Sequence, residues 1–152
     1  MRMSTKVTGF AALLVSLSLS TLTAQARDTQ HYFPIKDVVE MGKAKGDLKD
    51  DVRLYFADQP HPAIATMLSK GIVTNKKTNG ANKSDEEACK WVMLSALIQM
   101  QDGARTHGGN AVVNIESYYK KNVYRSNDQY ECHSGSIMSG VALRGDVVAL
   151  KK

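Results

Sequence analysis

Hydrophobic and polar positions follow a helical period most clearly between Ser84 and Thr106. With about 100° of rotation per residue, Cys89, Val92, Met93, Ala96, Leu97, Met100 and Ala104 share one face, which reads as a core stripe. Ser84, with Glu87 three residues later, makes a capping box, and Asp85, Glu86 and Glu87 place negative charge where the helix dipole favours it. Gly108-Gly109 supplies the stop, and Gly103 is the weak point inside the helix. Trp91, Leu94 and Ile98 form a second apolar group on nearly the opposite side, where a surface helix should be polar. Two readings account for them. Either the segment from Phe33 to Met41 folds over the group, or it is a partner-binding patch centred on the only tryptophan.

The rest of the pattern is mainly β. Val52 to Ala57 alternates, with Val52, Leu54 and Phe56 against Arg53 and Tyr55, and Lys70 to Asn75 is a second strand candidate. Ala111 to Tyr118 is apolar and β-branched, Tyr130 and Cys132 share one face of a short strand, and Ser136–Leu143 with Asp146–Leu150 read as a last strand or a pair broken at Gly140 and Gly145. Ahead of these, Arg27 to His31 reads as a flexible start. Pro34 opens a short helix over Ile35 to Met41, Lys43 to Asp51 is a loop, and Lys120 to Asp128 is another. The fold expected is α+β: one main amphipathic helix packed on a small, mostly antiparallel sheet.

The first residues change the picture of where this fold works. Arg2 and Lys6 precede an apolar stretch from Val7 to Leu22, and Thr23-Ala24-Gln25-Ala26 closes it with small residues; this is the pattern of a cleavable export signal. Residues 1–26 are therefore expected to be a signal peptide and 27–152 a single α+β domain, periplasmic or secreted. No cysteine precedes Cys89, so no acceptor for a lipid anchor is present, and no stable membrane anchor is expected once the signal is cleaved. The formal charge of +5 over 152 residues is mild, and acidic residues are interspersed with Lys and Arg, so nucleic-acid binding is not expected.

Two cysteines, Cys89 and Cys132, are an even count for a compartment in which disulfides persist. A bond between them closes a loop of roughly 44 residues, for which the chain-entropy model gives about 4 kcal/mol. With Cys89 on the helix stripe and Cys132 on the inward face of a strand, it would join helix to sheet. The competing reading is two separate thiols that bind metal or react. The cysteines and histidines lack zinc-type spacing, and His133, adjacent to Cys132 on a strand, would point to the opposite face.

Cys89 on a helix, Ala104, Gly109-Asn110-Ala111-Val112-Val113, Cys132-His133-Ser134-Gly135 and Gly140-Val141-Ala142-Leu143 together resemble the Rcs stress-sensor lipoproteins of the enterobacterial outer membrane. The Asn-Ala-Val strand after an alanine-rich helix is also similar to the small YbjQ-like family labelled heavy-metal-binding. A third resemblance is to small exported proteobacterial proteins that carry the label "excinuclease ATPase subunit". The Rcs resemblance spans roughly residues 85 to 145 and implies an α+β domain with a sheet packed on its main helix, joined by disulfides, that signals through protein contacts. This chain departs from it in having one cysteine pair instead of two, no lipid site and no proline-rich N-terminal arm. The excinuclease label implies ATP chemistry, yet Gly42-Lys43 lacks the earlier glycine and the following Ser or Thr of a phosphate loop.

These readings lead to a non-enzymatic exported domain that binds a protein partner of unknown identity, with envelope stress sensing as the setting that the resemblance implies. The alternative is a metal or small-ligand binder of the YbjQ-like type, with His107 and His133 as weak candidate ligands and Met138 beside them. A cysteine-dependent enzyme, pairing Cys89 or Cys132 with His107 or His133, would need a free thiol. His107 also fits a plainer role at the helix C-terminus. No cofactor is expected.

Overall fold

Met138–Leu150, with its apolar stretches Val141–Leu143 and Val147–Leu150, forms the strand on which three other strands pair. The computed structural model describes residues 26–152, so the expected signal segment falls, apart from Ala26, outside the described residues. In chain order the elements are β1 (Thr29–Pro34), α1 (Ile35–Lys45), β2 (Arg53–Phe56), β3 (Ile64–Asn79), α2 (Asp85–Thr106), β4 (Ala111–Ser117), β5 (Gln129–Ser134) and β6 (Met138–Leu150), with a single 3-10 turn at Tyr119–Lys121. One sheet of six strands runs β1-β5-β6-β4-β2, and β3 also pairs with β6. All the pairings are antiparallel except β2 with β4. β6 is long enough to hold β3 along one side, while on the other β4 pairs with its residues from Leu143 to Val148 and β5 with Ser139 and Gly140.

The fold class is α+β, with two α-helices among the described residues instead of one main helix. Helix α2 begins where the cap predicts: Ser84 Oγ accepts the Glu87 N–H at 3.1 Å. At its other end Gly108 takes a φ of 72°, and the Gly109 N–H returns to the Ala104 carbonyl at 2.8 Å, which satisfies one of the last free carbonyls. All seven residues of the expected stripe are buried, and they pack with Val112, Ile115, Val141, Leu143 and Val147 of the sheet. The Cys89–Cys132 disulfide forms, with a Cα separation of 6.0 Å, and joins α2 to β5.

Two expectations are corrected and one open alternative is decided. The segment Arg27–His31 is held in place: β1 pairs with β5 from Thr29↔Ser134 to Pro34↔Gln129, Arg27 and His31 both reach the Asp85 carboxylate, and Lys120 Nζ lies 2.8 Å from Asp28. The strand at Lys70–Asn75 is the middle of a sixteen-residue strand. Its alternation is masked by shifts of register between Ile64 and Ile72, around Gly71 at φ 66°. The last strand is continuous through Gly140 and Gly145, because Gly145 serves close packing instead of a break: a Cβ there would lie 2.7 Å from Val112 Cγ1.

The short helix α1 runs four residues beyond its expected end, to a left-handed cap at Gly46, and packs against α2. On the sheet face away from α2, Ala111, Val113, Val148 and Leu150 make a smaller apolar cluster with Tyr55.

Candidate functional site

Alternation along β5 turns Tyr130 and Cys132 toward the core and Glu131 and His133 to the opposite face. There His133 Nδ1 lies 2.8 Å from Asp28 Oδ1 and Nε2 lies 2.8 Å from Glu131 Oε1. The ring of Tyr119 stacks on the imidazole with centroids 3.6 Å apart. Both nitrogen contacts are hydrogen bonds at once only when the ring carries both protons. Lys120 completes the group from the 3-10 turn, and its ammonium, followed by His133, holds the Asp28 carboxyl below the ordinary carboxylate range. The network ties the start of the chain to β5 and to the loop after β4.

A second charged group lies on β4 and β6. Glu116 is almost fully buried, and its carboxylate receives Arg144 Nε at 2.8 Å and Arg125 Nη1 at 2.9 Å. Arg125 also reaches Asp58, and the Arg144 guanidinium lies 4.3 Å over the Tyr118 ring. Nearby, Asn114 takes a φ of 53° where the β4–β6 register shifts, and Asp146 accepts from both its side-chain amide and the Gly71 N–H. Lys70, Glu116, Arg125, Arg144 and Asp146 line an open cleft of about 570 Å³. The ion pairs consume much of its charge. The sequence reading missed this group, although one signal was present: an acid inside the apolar run Ala-Val-Val-Asn-Ile-Glu-Ser must find a cation when it is buried.

The predicted site residues are dispersed. Cys89 and Cys132 form the disulfide and leave no free cysteine among the described residues. His107 caps α2, its Nδ1 2.7 Å from the Gly103 carbonyl oxygen. His133 is beside Cys132, which is bonded near the other end of a 22-residue helix, about 30 Å long at 1.5 Å per residue. The two weak metal candidates are thus not brought together, and among the described residues no group of three His, Cys, Asp or Glu is arranged to hold a metal ion.

Trp91, Leu94 and Ile98 do not make one open patch. Leu94 is 2% exposed and Ile98 is half-buried against the core. The physical reason is α1: its Gly42 is so close that a Cβ there would lie 2.7 Å from Leu94 Cδ1. Trp91 alone stays open at 40%, with Lys45 Nζ 4.0 Å above its ring.

The largest unpaired feature is instead β3. Among the described residues it pairs only with β6, so its outer backbone edge has no strand beside it. Ile64, Met67, Leu68 and Val73 are exposed along it, Val73 at 53%, and Lys70, Lys76 and Lys77 supply its only charges. No helix of the described residues is long and apolar enough to cross a membrane. Comparison with protein families and with curated proteins finds no match to this chain.

Proposed function

We propose that this chain is a non-enzymatic domain that works outside the cytoplasm and binds a protein partner along the edge of β3. The observation that carries the reading is that edge: sixteen residues of strand, with one side paired to β6 and the other open. An open row of backbone N–H and C=O groups is a template for another strand. Proteins blunt unused edges by shortening or covering them or with bulges and lysines; β3 is long and uncovered by any strand among the described residues, although it carries both of the latter. The export-type pattern of the first 26 residues and the disulfide support the compartment, since such bonds persist where the environment is oxidising. The Rcs resemblance adds envelope stress sensing as the setting. The metal-binding alternative has less support, because both ring nitrogens of His133 face carboxylates.

Position-specific crosslinking tests the reading. A photo-crosslinking amino acid is placed at Ser69 or Val73 on β3, and at Lys36 on α1 as the control, in protein expressed with its complete N-terminal segment. A discrete adduct is expected from the β3 positions and not from Lys36. Identical patterns from both would overturn the reading.

A further inference from the structure

We infer that the partner adds to β3 as an extended, acidic strand, and that the docking segment is Ile72 to Asn79. The inference rests on the partner-binding reading above and adds the partner's chemistry. Three observations lead to it.

The first is regularity. The three register shifts of β3 against β6 all fall between Ile64 and Ile72, whereas from Ile72↔Gly145 to Asn79↔Met138 the pairing runs without interruption. A bulge bends and twists an edge away from further pairing. Only the second half of β3 therefore offers a straight template, and at eight residues it exceeds the common strand length of about five to six.

The second is charge. From Gln59 to Lys83 the chain has four lysines and neither Asp nor Glu, although acidic residues are interspersed elsewhere. Lys76 and Lys77 are adjacent, so alternation sends them to opposite faces of the strand. A strand laid beside Ile72–Asn79 meets a cation on either face, and cross-strand pairs of opposite charge stabilise while like charges directly opposite destabilise.

The third concerns a second copy of this chain as occupant. Antiparallel self-pairing would bring two lysine-bearing edges together with no acid on either. Lysines on an edge act against such pairing, and the same lysines favour an acidic strand, so one device gives both rejection and selection.

The test is an NMR titration of the protein, with the disulfide intact, using three ten-residue peptides. One alternates Glu with Val, one alternates Lys with Val, and one is the Glu peptide with every second backbone nitrogen methylated so that it cannot complete a ladder. The Glu peptide is expected to bind, to shift the amide signals of Ile72–Asn79 and to slow their hydrogen exchange; the other two are not. Exchanging both cations, Lys76→Glu with Lys77→Glu, should weaken the Glu peptide about tenfold and admit the Lys peptide, and an unchanged circular dichroism spectrum will show that the variant is folded. Three outcomes overturn the inference: no binding of the Glu peptide; equal binding of the methylated peptide, which would make the edge a patch for polyanions; or concentration-dependent self-association through β3. If crosslinking at Ser69 or Val73 succeeds while the peptides fail, the partner-binding reading stands and the acidic strand falls.

Discussion

Gln101 and Lys49 are bonded to each other twice across the molecule: the Gln101 side-chain oxygen accepts the Lys49 N–H at 3.1 Å, and its amide nitrogen donates to the Lys49 carbonyl at 2.7 Å. The same nitrogen donates to the Val52 carbonyl at 2.7 Å. One buried amide on α2 thus satisfies three backbone groups in the loop that leads from α1 into β2. A buried polar group left without a partner costs about 1–3 kcal/mol. Gln101→Ala is accordingly expected to lower the unfolding free energy by about 2–4 kcal/mol, measured by urea denaturation with the disulfide intact. A loss below about 0.5 kcal/mol, the range of a neutral surface change, would mean that the loop finds other partners.

The disulfide allows a direct comparison of covalent and packing contributions. Cys89 and Cys132 are both fully buried, so replacing both with Ala removes the cross-link and some packing volume. The expected loss is about 4 kcal/mol from chain entropy, less whatever structure the unfolded chain retains. Reduction of the native protein should lower the unfolding free energy, measured by denaturant titration, by a similar amount. A reduced protein as stable as the oxidised one would show that packing of α2 on β5 is sufficient by itself.

What could be read in advance follows the range of the interactions involved. Helix α2, its Ser84 cap and its core stripe depend on residues within a few positions of one another, and the sequence displays them directly. The inward pair Tyr130 and Cys132 also followed from alternation alone. β1 could not be read that way, because its partner β5 lies roughly 100 residues away and its anchoring salt bridges run from Arg27 to Asp85 and from Asp28 to Lys120. The first half of β3 was missed because the register shifts erase the period of two. The apolar group on α2 had two readings, and Gly42 decides between them through a close approach that no pattern on α2 itself reports. Glu116 announced the need for a cation, but its partners Arg125 and Arg144 come from a loop and from β6, which only the fold brings together.

Tyr130 offers a contrasting polar group. Its ring is fully buried beside Phe33, and its hydroxyl has no hydrogen-bond partner among the described residues. Burial holds the phenol well above its ordinary range. Removing a buried hydroxyl that the protein leaves unpaired removes a desolvation penalty, while the ring keeps its packing. Tyr130→Phe is therefore expected to leave stability within about 0.5 kcal/mol of the native value or to raise it by up to about 1 kcal/mol. Thermal unfolding monitored by circular dichroism reads this directly. A loss of about 2 kcal/mol or more would show that the hydroxyl is bonded in solution.

Asp28, which the sequence alone places in a flexible start, links folding to pH. Its carboxyl is held below the ordinary value of 3.8 by hydrogen bonds from Lys120 and from His133. A group depressed in the folded state binds fewer protons there than in the unfolded chain, so its contribution is fully present above the unfolded value and is lost as pH falls through the folded one. The native protein should exceed Asp28→Asn in melting temperature at neutral pH, and the gap should narrow as pH is lowered from about 5 to about 2. Asp51, also depressed, by Arg105, is present in both proteins, so the difference between them isolates Asp28. Lys120→Met should reproduce part of the loss at neutral pH and shrink the acid dependence, because it removes the larger of the two donors. A gap that stays constant down to about pH 2 would mean that the Asp28 carboxyl has the same proton affinity in the folded and unfolded chain, so that Lys120 and His133 do not hold it preferentially in the folded state.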